Sequence, residues 1–497
     1  MPAKTLQDWK NTAATLAIEG RCFIDGDYRA AMDGRTFDKI SPVEGRHLAA
    51  IARADAADVE LAVAAARRAF DSGSWSRLAP VQRKRTLLRF AELIEAHAEE
   101  LALLETLDMG KPIANALAAD LPGTVNAMRW TAEAIDKVYG EVAATADDQL
   151  GLVTREAVGV VGIIVPWNFP LLMASWKFAP ALAAGNSVVL KPSERSPLTA
   201  IRIAALASEA GIPDGVFNVL GGYGHEAGQA LALHNDVDAI AFTGSTRIAK
   251  QLMIAAGQSN LKRVWTEAGG KSPNIVCADA PDLLQAAGSA AAAIAYNQGQ
   301  VCTAGSRLLV QRSIKEEFLE HLRSALAGWA PGHPLDPVTR YGAMVDRQHV
   351  EQVRGFIQGA EEEGARLILG GEEGLAGESG CYLAPALFDG VHNGMRIARE
   401  EIFGAVLSVI DFDTPEEAVA IANDSPYGLA AALWTSDLSR AHRMARALRA
   451  GSVWVNQYSG GDMTAPFGGY KQSGNGRDRS LHAFDKYTEL KATWIRL

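Results

Sequence analysis

The sequence predicts an α/β protein in which two series of alternating strands and helices build parallel sheets, with a small β-flap beside them. Between residues 157 and 256, short runs rich in Val, Ile and Phe alternate with helical segments, as in a doubly wound domain. A second such series begins after about residue 269. Two segments outside both series, 149–156 and 488–497, alternate apolar and polar residues as half-buried strands do. We expect them to pair as an exposed flap that contacts another subunit.

Strands and helices of the first series follow one another closely. The predicted strand at 157–166 is followed by a helix that ends at Gly185. The strand at 187–192 is followed by a helix with Ser196 as its N-cap and Pro197 as its first residue. Two further strands complete the series, at 216–220 and 237–244.

A single helix is predicted upstream of this series, over residues 85–107, because apolar residues recur there at spacings of three and four. Gly110 and Pro112 are its stop signals. The second series begins with a strand at 274–278, which precedes an Ala-rich helix that runs to Tyr296. In both series, short apolar strand segments therefore alternate with helical segments, as expected when helices connect the strands of a parallel sheet.

Composition excludes several classes of protein. The 497 residues, 48% hydrophobic and 21% charged, suffice for two or three domains with cores of their own, which excludes a disordered chain. A net charge of −10 offers no basic surface for nucleic acid or an anionic membrane. No apolar run reaches the ~18 residues of a membrane span, and the N-terminus lacks the apolar core of a secretory signal. Four widely spaced cysteines without a CxxC pair predict no metal site and indicate a cytoplasmic enzyme.

Cys302 is the candidate nucleophile. It lies between a predicted helix and a predicted strand, in a loop where Gly299 and Gly305 allow close approach to the backbone. An inert buried thiol is the alternative for any lone cysteine. We predict such an inert thiol for the three cysteines in apolar or strand-like surroundings, Cys22, Cys277 and Cys381.

Glu267 and Asn168 are the other candidate catalytic residues. Glu267 follows an apolar strand beside Trp265, where desolvation would raise the pKa of a carboxyl group towards that of a general base near neutral pH. A strand-end salt bridge with Lys271 is the alternative. Asn168 follows the first strand of the parallel sheet, where its amide can donate to a developing oxyanion. Its alternative role is that of a turn former.

Three segments are candidate phosphate or ribose sites. Residues 242–246 join a strand to a helix, whose N-terminal N–H groups can hold a pyrophosphate. Residues 222–228 resemble GxGxxG with one residue too many, which is a weak fingerprint. Lys191 and Glu194 close the second strand and can bind ribose hydroxyls, and the carboxylate would repel the 2′-phosphate of NADP.

Seven motifs in a fixed order resemble the aldehyde dehydrogenase superfamily over nearly the whole chain. They are PWNFP (166–170), KPSE (191–194), FTGST (242–246), EAGGKSP (267–273), NQGQVCTAGSR (297–307), EEIFG (400–404) and PFGGYKQSGNGR (466–477). Four stretches resemble the bacterial aminoaldehyde dehydrogenases of the gamma-glutamyl-gamma-aminobutyraldehyde and 4-guanidinobutyraldehyde type. They are LETLDMGKP (104–112), TAEAIDKVYGEV (131–142), LSRAHRMARAL (438–448) and the segment 461–478.

The resemblance implies an NAD-dependent oxidation of aldehydes to carboxylic acids, with Cys302 as nucleophile, Glu267 as base and Asn168 as oxyanion donor. It implies a Rossmann-like NAD-binding domain (1–134 and 158–269), a catalytic domain (270–469) and an oligomerisation flap (135–157 and 484–497). The implied cofactor-binding residues are Ile164, Pro166, Trp167, Lys191, Ser193, Glu194, Gly224, Gly228, Phe242, Gly244, Ser245, Ile248, Glu401 and Phe403. One departure is Ala405, where the family usually has proline, and we expect only a local backbone effect.

The substrate is expected to be an omega-aminoaldehyde that enters an aromatic tunnel. The predicted walls are Trp167, Trp176, Trp454 and Phe467, with a place in the core as the alternative for some of them. Asp120 and Asp462 are the predicted partners of a cationic substrate group, with an ordinary surface position as the alternative. A succinate-semialdehyde or betaine-aldehyde dehydrogenase is the alternative within the family. A cysteine acyltransferase or thioesterase is the alternative outside it, although Lys191, Glu194 and Ser245 favour a nucleotide-dependent enzyme. A homo-oligomer, dimer or tetramer, is expected.

Overall fold

The computed structural model describes residues 4–497, so the first three residues of the predicted NAD-binding segment lie outside the described part. The helices are α1 Leu6–Thr15, α2 Ala56–Ser72, α3 Pro80–Ala96, α4 Ala98–Met109, α5 Ile113–Asn115, α6 Leu121–Ala134, α7 Pro170–Ala184, α8 Leu198–Glu209, α9 Gln229–Leu233, α10 Thr246–Gln258, α11 Leu283–Ala295, α12 Lys315–Ala327, α13 Arg347–Glu362, α14 Arg396–Arg399, α15 Pro415–Asn423 and α16 Leu438–Ala447. None of these helices has the length and apolar character needed to cross a membrane.

The strands form two large sheets and several small ones. They are β1 Cys22–Ile24, β2 Asp27–Arg29, β3 Thr36–Ile40, β4 His47–Ala52, β5 Glu141–Ala143, β6 Gln149–Ala157, β7 Val160–Ile164, β8 Ser187–Lys191, β9 Phe217–Val219, β10 Ala239–Thr243, β11 Arg263–Glu267, β12 Pro273–Val276, β13 Arg307–Gln311, β14 Arg366–Gly370, β15 Glu373–Leu375, β16 Glu378–Leu383, β17 Ala386–Asp389, β18 Val406–Phe412, β19 Tyr427–Gly428, β20 Ala430–Trp434, β21 Ser452–Val455, β22 Tyr470–Lys471 and β23 Thr488–Arg496. The α/β fold class predicted from the sequence is confirmed.

The first large sheet has the order β11-β10-β7-β8-β9-β1-β2. Its five strands from β7 to β11 are parallel, whereas β1 joins β9 in the antiparallel sense. Alternate residues of β7 enter opposite cores, with Val161 and Ile163 on one face and Val160 and Ile164 on the other. Burial of both faces explains why these strands are continuous apolar runs.

The second large sheet has the order β14-β17-β18-β13-β12-β20-β21, and only its edge strand β14 is antiparallel to its neighbour. Its two faces pack against separate cores, one containing Ile275 and Leu309 and the other Val276 and Leu308. The second alternating series therefore builds a sheet of its own, as the sequence predicts.

The two segments predicted as a flap do pair. Strand β23 runs antiparallel to β6 from Thr488 opposite Ala157 to Arg496 opposite Gln149, and β5 adds a third strand. Beyond Thr488 the residues of β23 are exposed, and the strand forms one edge of its sheet. The flap thus presents a long open edge to solvent.

Two helix boundaries differ from the sequence prediction. The predicted single helix at 85–107 is two helices, α3 and α4, because His97 leaves the helical conformation and its ring Nδ1 contacts the Leu93 carbonyl at 2.8 Å. Ser196 is not an N-cap, since α8 begins one residue later than expected. The backbone N–H of Leu198 donates instead to the carboxylate of Asp108, at 2.8 Å, so a residue ninety positions away caps this helix.

A buried ion cluster lies where α4, α5 and α6 meet. Lys111 is fully buried, and its ammonium lies 3.0 Å from Glu105 Oε1 and 2.7 Å from Asp120 Oδ2. It also lies 4.1 Å from the ring centroid of Phe169. Burial raises the pKa of Asp120 to about 7, although the Lys111 ammonium opposes the shift. One ammonium thus compensates two buried carboxyl groups.

We predict that Lys111→Met destabilises the protein strongly at neutral pH, by about 3–5 kcal/mol, because it leaves two buried carboxyl groups without a cation. The urea midpoint should fall at pH 7.5 and recover partly at pH 5.5, where protonation removes the uncompensated charge. Lys137→Met, which breaks an exposed ion pair with Asp136, is the matched control and should cost under about 1 kcal/mol. Equal midpoints for the two variants would contradict this account.

Candidate active site

One cleft of about 910 Å³ gathers the residues that the sequence singled out. It opens at the carboxyl ends of the parallel strands, where β7 ends at Ile164, β8 at Lys191, β10 at Thr243 and β11 at Glu267. All the predicted cofactor-binding residues line it: Ile164, Pro166, Trp167, Lys191, Ser193, Glu194, Gly224, Gly228, Phe242, Gly244, Ser245, Ile248, Glu401 and Phe403. The three candidate catalytic residues line the same cleft: Cys302, Glu267 and Asn168.

The loop that carries Cys302 has an unusual backbone. Asn297, Gln298 and Gly299 have positive φ values of 49°, 59° and 71°. A Cβ at Gly299 would lie 2.3 Å from the backbone nitrogen of Ala405, so only glycine fits. The backbone at Ala405 thus packs tightly on the nucleophile loop.

Asn168 is tied to the same loop. Its side-chain amide donates to the Gln300 carbonyl at 2.8 Å, and Asn297 donates its own amide to the Asn168 carbonyl at 2.9 Å. Each primary amide has two N–H groups, so one donor of Asn168 is left for a ligand in the cleft. The Asn168 side chain is buried and held in place, which is what an oxyanion donor requires.

The environment of Cys302 keeps its thiol neutral at rest. Burial raises the pKa of Cys302 to about 12, and the negative charges of Glu401 and Glu267 act in the same direction. Backbone N–H groups of Cys302 and Thr303 partly oppose this shift. The side chain keeps partial solvent exposure and lines the cleft, so the sulfur is reachable. By contrast, Cys22, Cys277 and Cys381 are buried, as expected of inert thiols.

Glu267 is buried, and neither of its carboxylate oxygens has a hydrogen-bond partner among residues 4–497. The alternative of a salt bridge with Lys271 is wrong, because Lys271 Nζ likewise has no partner within the described chain. Burial raises the pKa of Glu267 well above its ordinary value, and the negative charge of Asp478 adds to the shift. A carboxylate of this kind, free to contact a water or substrate, suits a general base.

Sequence analysis missed a second buried ion cluster behind Glu267. Asp478 accepts from Lys177 Nζ at 2.9 Å and from Lys486 Nζ. Burial raises the pKa of Asp478, but the two lysines outweigh this effect and hold it below its ordinary value. Asp478 also lines the cleft. It stands at the end of the GNGRD stretch, but no local pattern pairs it with Lys177, which lies 301 positions away.

The end of the cleft at β8 and α10 fits a nucleotide. Lys191 is buried, and its ammonium lies 3.4 Å from Glu194 Oε2. A Cβ at Gly224 would meet nothing within 4 Å, so the cleft is open above that backbone. Ser245 caps α10 through Ile248 N–H, and the helix N-terminus faces the cleft. These features fit a ribose and a pyrophosphate.

Glu401, Phe403 and Trp167 line another part of the cleft. Glu401 Oε1 accepts from Gly270 N–H at 2.9 Å, and burial raises the pKa of Glu401 to about 7. Phe403 has a φ of 61° and packs edge-on against Trp167, with ring centroids 5.1 Å apart. His349, which the sequence analysis did not select, contacts the Phe403 carbonyl through Nε2 at 2.8 Å.

The predicted substrate residues do not all reach the cleft. Phe467 lines it, and Trp176 packs against Phe467 with ring centroids 5.3 Å apart. Trp454 lies outside the cleft lining, half-buried against Tyr458, whose hydroxyl donates to the Thr303 carbonyl. Trp454 thus supports the far side of the nucleophile loop.

Neither predicted carboxylate partner of the substrate lines the cleft. Asp120 is fully buried in its ion pair with Lys111, so the prediction that it faces the substrate needs correction. The sequence could not show that the Lys111 ammonium occupies this carboxylate. Asp462 is exposed and accepts hydrogen bonds from Thr464 within its own loop. It lies close enough to Arg479 for their charges to interact.

Residues 28–493 match the aldehyde dehydrogenase family. The chain belongs to this family. It is 59% identical over 489 residues, 98% of each chain, to the NADP/NAD-dependent aldehyde dehydrogenase PuuC of Escherichia coli. It is 68% identical to a structure of the P. syringae indole-3-acetaldehyde dehydrogenase AldA, a C302A mutant in complex with NAD+ and IAA, with a TM-score of 0.99 and full coverage of both chains.

A third aldehyde dehydrogenase is also very similar. The gamma-glutamyl-gamma-aminobutyraldehyde dehydrogenase of Burkholderia cenocepacia is 61% identical, with a TM-score of 0.98, over 99% of this chain and 100% of that one. The resemblance inferred from motifs is thereby confirmed at the level of the family and its aminoaldehyde branch. Among residues 4–497 of this aldehyde dehydrogenase, no group of His, Cys, Asp or Glu side chains is arranged to hold a metal ion.

We predict that charge changes in the cluster behind Glu267 shift the acid limb of the kcat–pH profile in opposite directions. Asp478→Asn removes a negative charge that raises the pKa of Glu267, so the limb should move to lower pH, by about one unit. Lys486→Met removes a positive charge that lowers this pKa, so the limb should move to higher pH. Steady-state rates between pH 5 and 10 measure both shifts, and displacement of both limbs in the same direction would refute the coupling.

Proposed function

We propose that the protein is an NAD-dependent aldehyde dehydrogenase that oxidises omega-aminoaldehydes to carboxylic acids. The observation that carries the proposal is the single cleft that joins a nucleotide-binding end to Cys302, Glu267 and Asn168. Acyl chemistry on sulfur requires three groups: a thiol, a base that no other protein group occupies, and an amide that donates a hydrogen bond. Membership of the aldehyde dehydrogenase family supports the same reaction.

NAD fits the cleft better than NADP does. Glu194 and Lys191 lie where the adenosine ribose would bind, and a carboxylate there favours a 2′-hydroxyl over a 2′-phosphate. Gly224, Gly228 and Ser245 would hold the pyrophosphate, and Glu401 the nicotinamide ribose. The AldA structure contains NAD+, whereas PuuC is named for both cofactors. When bound, the nicotinamide supplies the hydride acceptor for the oxidation.

The first task of the protein is to form a tetrahedral adduct. The Cys302 thiol gives its proton to a solvent water, its sulfur bonds to the aldehyde carbon, and the carbonyl π bond breaks so that the oxygen gains the negative charge. The free N–H of Asn168 and the backbone N–H of Cys302 donate to that oxygen. Because Asn168 is held by the Gln300 carbonyl, it is oriented before the substrate arrives, and little reorganisation is needed.

The second task is hydrolysis of the thioester on Cys302. Glu267 takes a proton from water, the water oxygen bonds to the acyl carbon, and the sulfur leaves as the carboxylic acid forms. Burial raises the pKa of Glu267 above its ordinary value, which makes its carboxylate a stronger base for this step. A cysteine acyltransferase or thioesterase shares these steps but has no use for the nucleotide end of the cleft.

The aminoaldehyde class is supported by the gamma-glutamyl-gamma-aminobutyraldehyde dehydrogenase to which the chain is similar. The AldA name indicates that a bulky aromatic aldehyde also fits a site of this fold. Here Phe467 lines the cleft and Trp176 packs against it, and these two residues are called the aromatic wall. Comparison of kcat/KM for 4-aminobutanal, 4-guanidinobutanal, gamma-glutamylated aminobutanal, betaine aldehyde, succinic semialdehyde and indole-3-acetaldehyde ranks these alternatives.

We predict that Cys302→Ala abolishes aldehyde-dependent formation of NADH, while Glu267→Gln permits one turnover and then stalls. Without the base, the acyl group should remain on Cys302 and add the mass of the acyl chain to the intact protein. Rapid-mixing absorbance at 340 nm and mass spectrometry measure the two effects. Full steady-state turnover by either variant would overturn the proposed roles, and NAD-independent thioester hydrolysis without NADH would favour the acyltransferase or thioesterase alternative.

We also propose the predicted division into an NAD-binding domain, a catalytic domain and an oligomerisation flap, and a homo-oligomeric enzyme. Leu490 and Trp494 support a homo-oligomer. These apolar residues of β23 are 61% and 63% exposed on one face of an open edge strand. A cytoplasmic location is consistent with a nucleophile that must stay a free thiol.

We predict that Leu490→Glu combined with Trp494→Glu lowers the oligomeric state, because it places charges on an apolar surface that a second subunit would cover. Light scattering after size-exclusion chromatography measures the mass. Leu438→Glu is the matched control, since Leu438 is at least as exposed, at 74%, but lies on α16. The proposal fails if the double variant and the control have the mass of the unmodified enzyme.

A further inference from the structure

The aromatic wall at the substrate end of the cleft carries a cation. The guanidinium carbon of Arg479 lies 4.1 Å from the ring centroid of Trp176 and 5.4 Å from that of Phe467. Phe467 lines the same cleft as Cys302 and Glu267. Stacking on two rings fixes the plane of the guanidinium, so its N–H groups have a defined direction.

Arg479 has no acceptor for these N–H groups. Its Nε is buried without a hydrogen-bond partner, and the side chain forms no ion pair within the part of the chain described by the structure. Arg307, another buried arginine, shows the usual situation, since its guanidinium donates to the carbonyls of Lys271, Ile421 and Ala422. Arg479 as a whole is half-buried, and its buried Nε is a donor whose missing acceptor is costly unless a ligand supplies one.

The backbone holds Arg479 in this position. Arg479 and Ser480 have positive φ values of 59° and 50°, which are rare for residues other than glycine. The Ser480 N–H donates to the Met463 carbonyl at 2.8 Å and anchors the turn. Strained residues of this kind persist where the surrounding structure fixes them, and they cluster at ligand sites.

The acidic groups near Arg479 do not neutralise it. Burial lowers the pKa of Arg479, and the negative charges of Asp478 and Asp462 only oppose this shift. Asp478 is already bound to Lys177 and Lys486. Asp462 is exposed and accepts from Thr464. Arg479 is not itself among the residues that line the cleft, but its guanidinium packs on Phe467, which is, and lies close enough to Cys302 for their charges to interact.

We propose that Arg479 forms a carboxylate-binding subsite, which selects aldehydes with a carboxylate at the end remote from the reacting carbon. The proposal rests on the proposed function and specifies its substrate class. A carboxylate can accept two parallel hydrogen bonds from the planar guanidinium of Arg479. The ammonium group of a free omega-aminoaldehyde would be repelled by the same positive charge. Among aminoaldehydes, the subsite therefore favours those whose amino group is acylated by a group that carries a carboxylate.

The test compares aldehydes that differ in their terminal group. Omega-carboxy aldehydes of four to six carbons, the matching unbranched alkanals and 4-aminobutanal are assayed with the unmodified holoenzyme, with Arg479→Gln and with Arg479→Met. We expect the kcat/KM ratio of carboxylated to neutral aldehyde to fall about 10- to 100-fold in both variants, the range for loss of a charged hydrogen-bonded contact. The ratio of 4-aminobutanal to the neutral aldehyde should rise.

A charge control and a binding measurement complete the test. Arg443→Gln removes an exposed arginine on α16 and should leave the selectivity ratio unchanged. Glutarate, used as a probe of the subsite, should inhibit competitively against aldehyde, with an inhibition constant at least tenfold weaker in Arg479→Gln. The two Arg479 variants are also compared by melting temperature, so that loss of folding is recognised.

Two outcomes overturn the subsite. The first is a selectivity ratio within about twofold of the unmodified enzyme in both Arg479 variants, and the second is an equal loss for all terminal groups. Failure of the proposed function is distinguishable, since the unmodified enzyme would then oxidise none of the aldehydes. Oxidation of the alkanals without preference for the carboxylated series refutes the subsite alone.

Discussion

Close contact between backbones determines where the reactive thiol lies. A Cβ at Gly270 would approach the Cys302 carbonyl oxygen to 2.6 Å, and one at Gly299 would approach the Ala405 nitrogen to 2.3 Å. Gly269 likewise leaves room for the carboxylate of Glu401. These glycines let the strand-end loop that follows Glu267 pack against the nucleophile loop. Larger side chains would separate the groups by more than acyl chemistry tolerates.

The same close packing buries the ionisable groups of the site, and this desolvation shifts their pKa values. Burial raises the pKa of Cys302 to about 12 and that of Glu401 to about 7, while it lowers the pKa of Lys271 to about 7. The neutral forms of Cys302, Glu401 and Lys271 are therefore favoured until a ligand brings charged or polar groups into the site. A thiol that rests in its neutral form resists oxidation, because the thiolate is the reactive species. In such a site each preorganised donor also acts more strongly than it would in water.

The sequence was sufficient to locate the cleft because parallel strands end at one edge of a sheet. Ile164, Lys191 and Glu267 each close a strand whose apolar pattern is visible in the chain, so their proximity follows from topology. Motif resemblance then supplied their roles. Residues whose partners are distant could not be placed in this way. Lys177 and Asp478 form one ion pair across 301 positions, and no local pattern links them.

The errors of the sequence prediction have one physical cause: the sequence does not show which side chains become neighbours in the folded protein. His97 breaks a helix because its ring contacts a carbonyl one turn away, and composition alone does not reveal that contact. Asp108 caps α8 from another helix, so the Ser196 signal, though locally valid, is not used. The sequence allows Asp120 to pair with a cationic substrate, but the Lys111 ammonium already pairs with this carboxylate. Propensity and spacing describe what a residue can do, whereas tertiary contact decides what it does.

The charge found at the aromatic wall is opposite in sign to the one expected from the sequence. Asp120 and Asp462 were the predicted anions, yet one is neutralised by Lys111 and the other lies in its own exposed turn. Arg479 instead contacts Trp176 and Phe467. Backbone packing at glycine fixes the position of the thiol, whereas individual side chains set the charge of the substrate end. A change at Arg479 can therefore alter which aldehyde binds without disturbing the loop that holds Cys302.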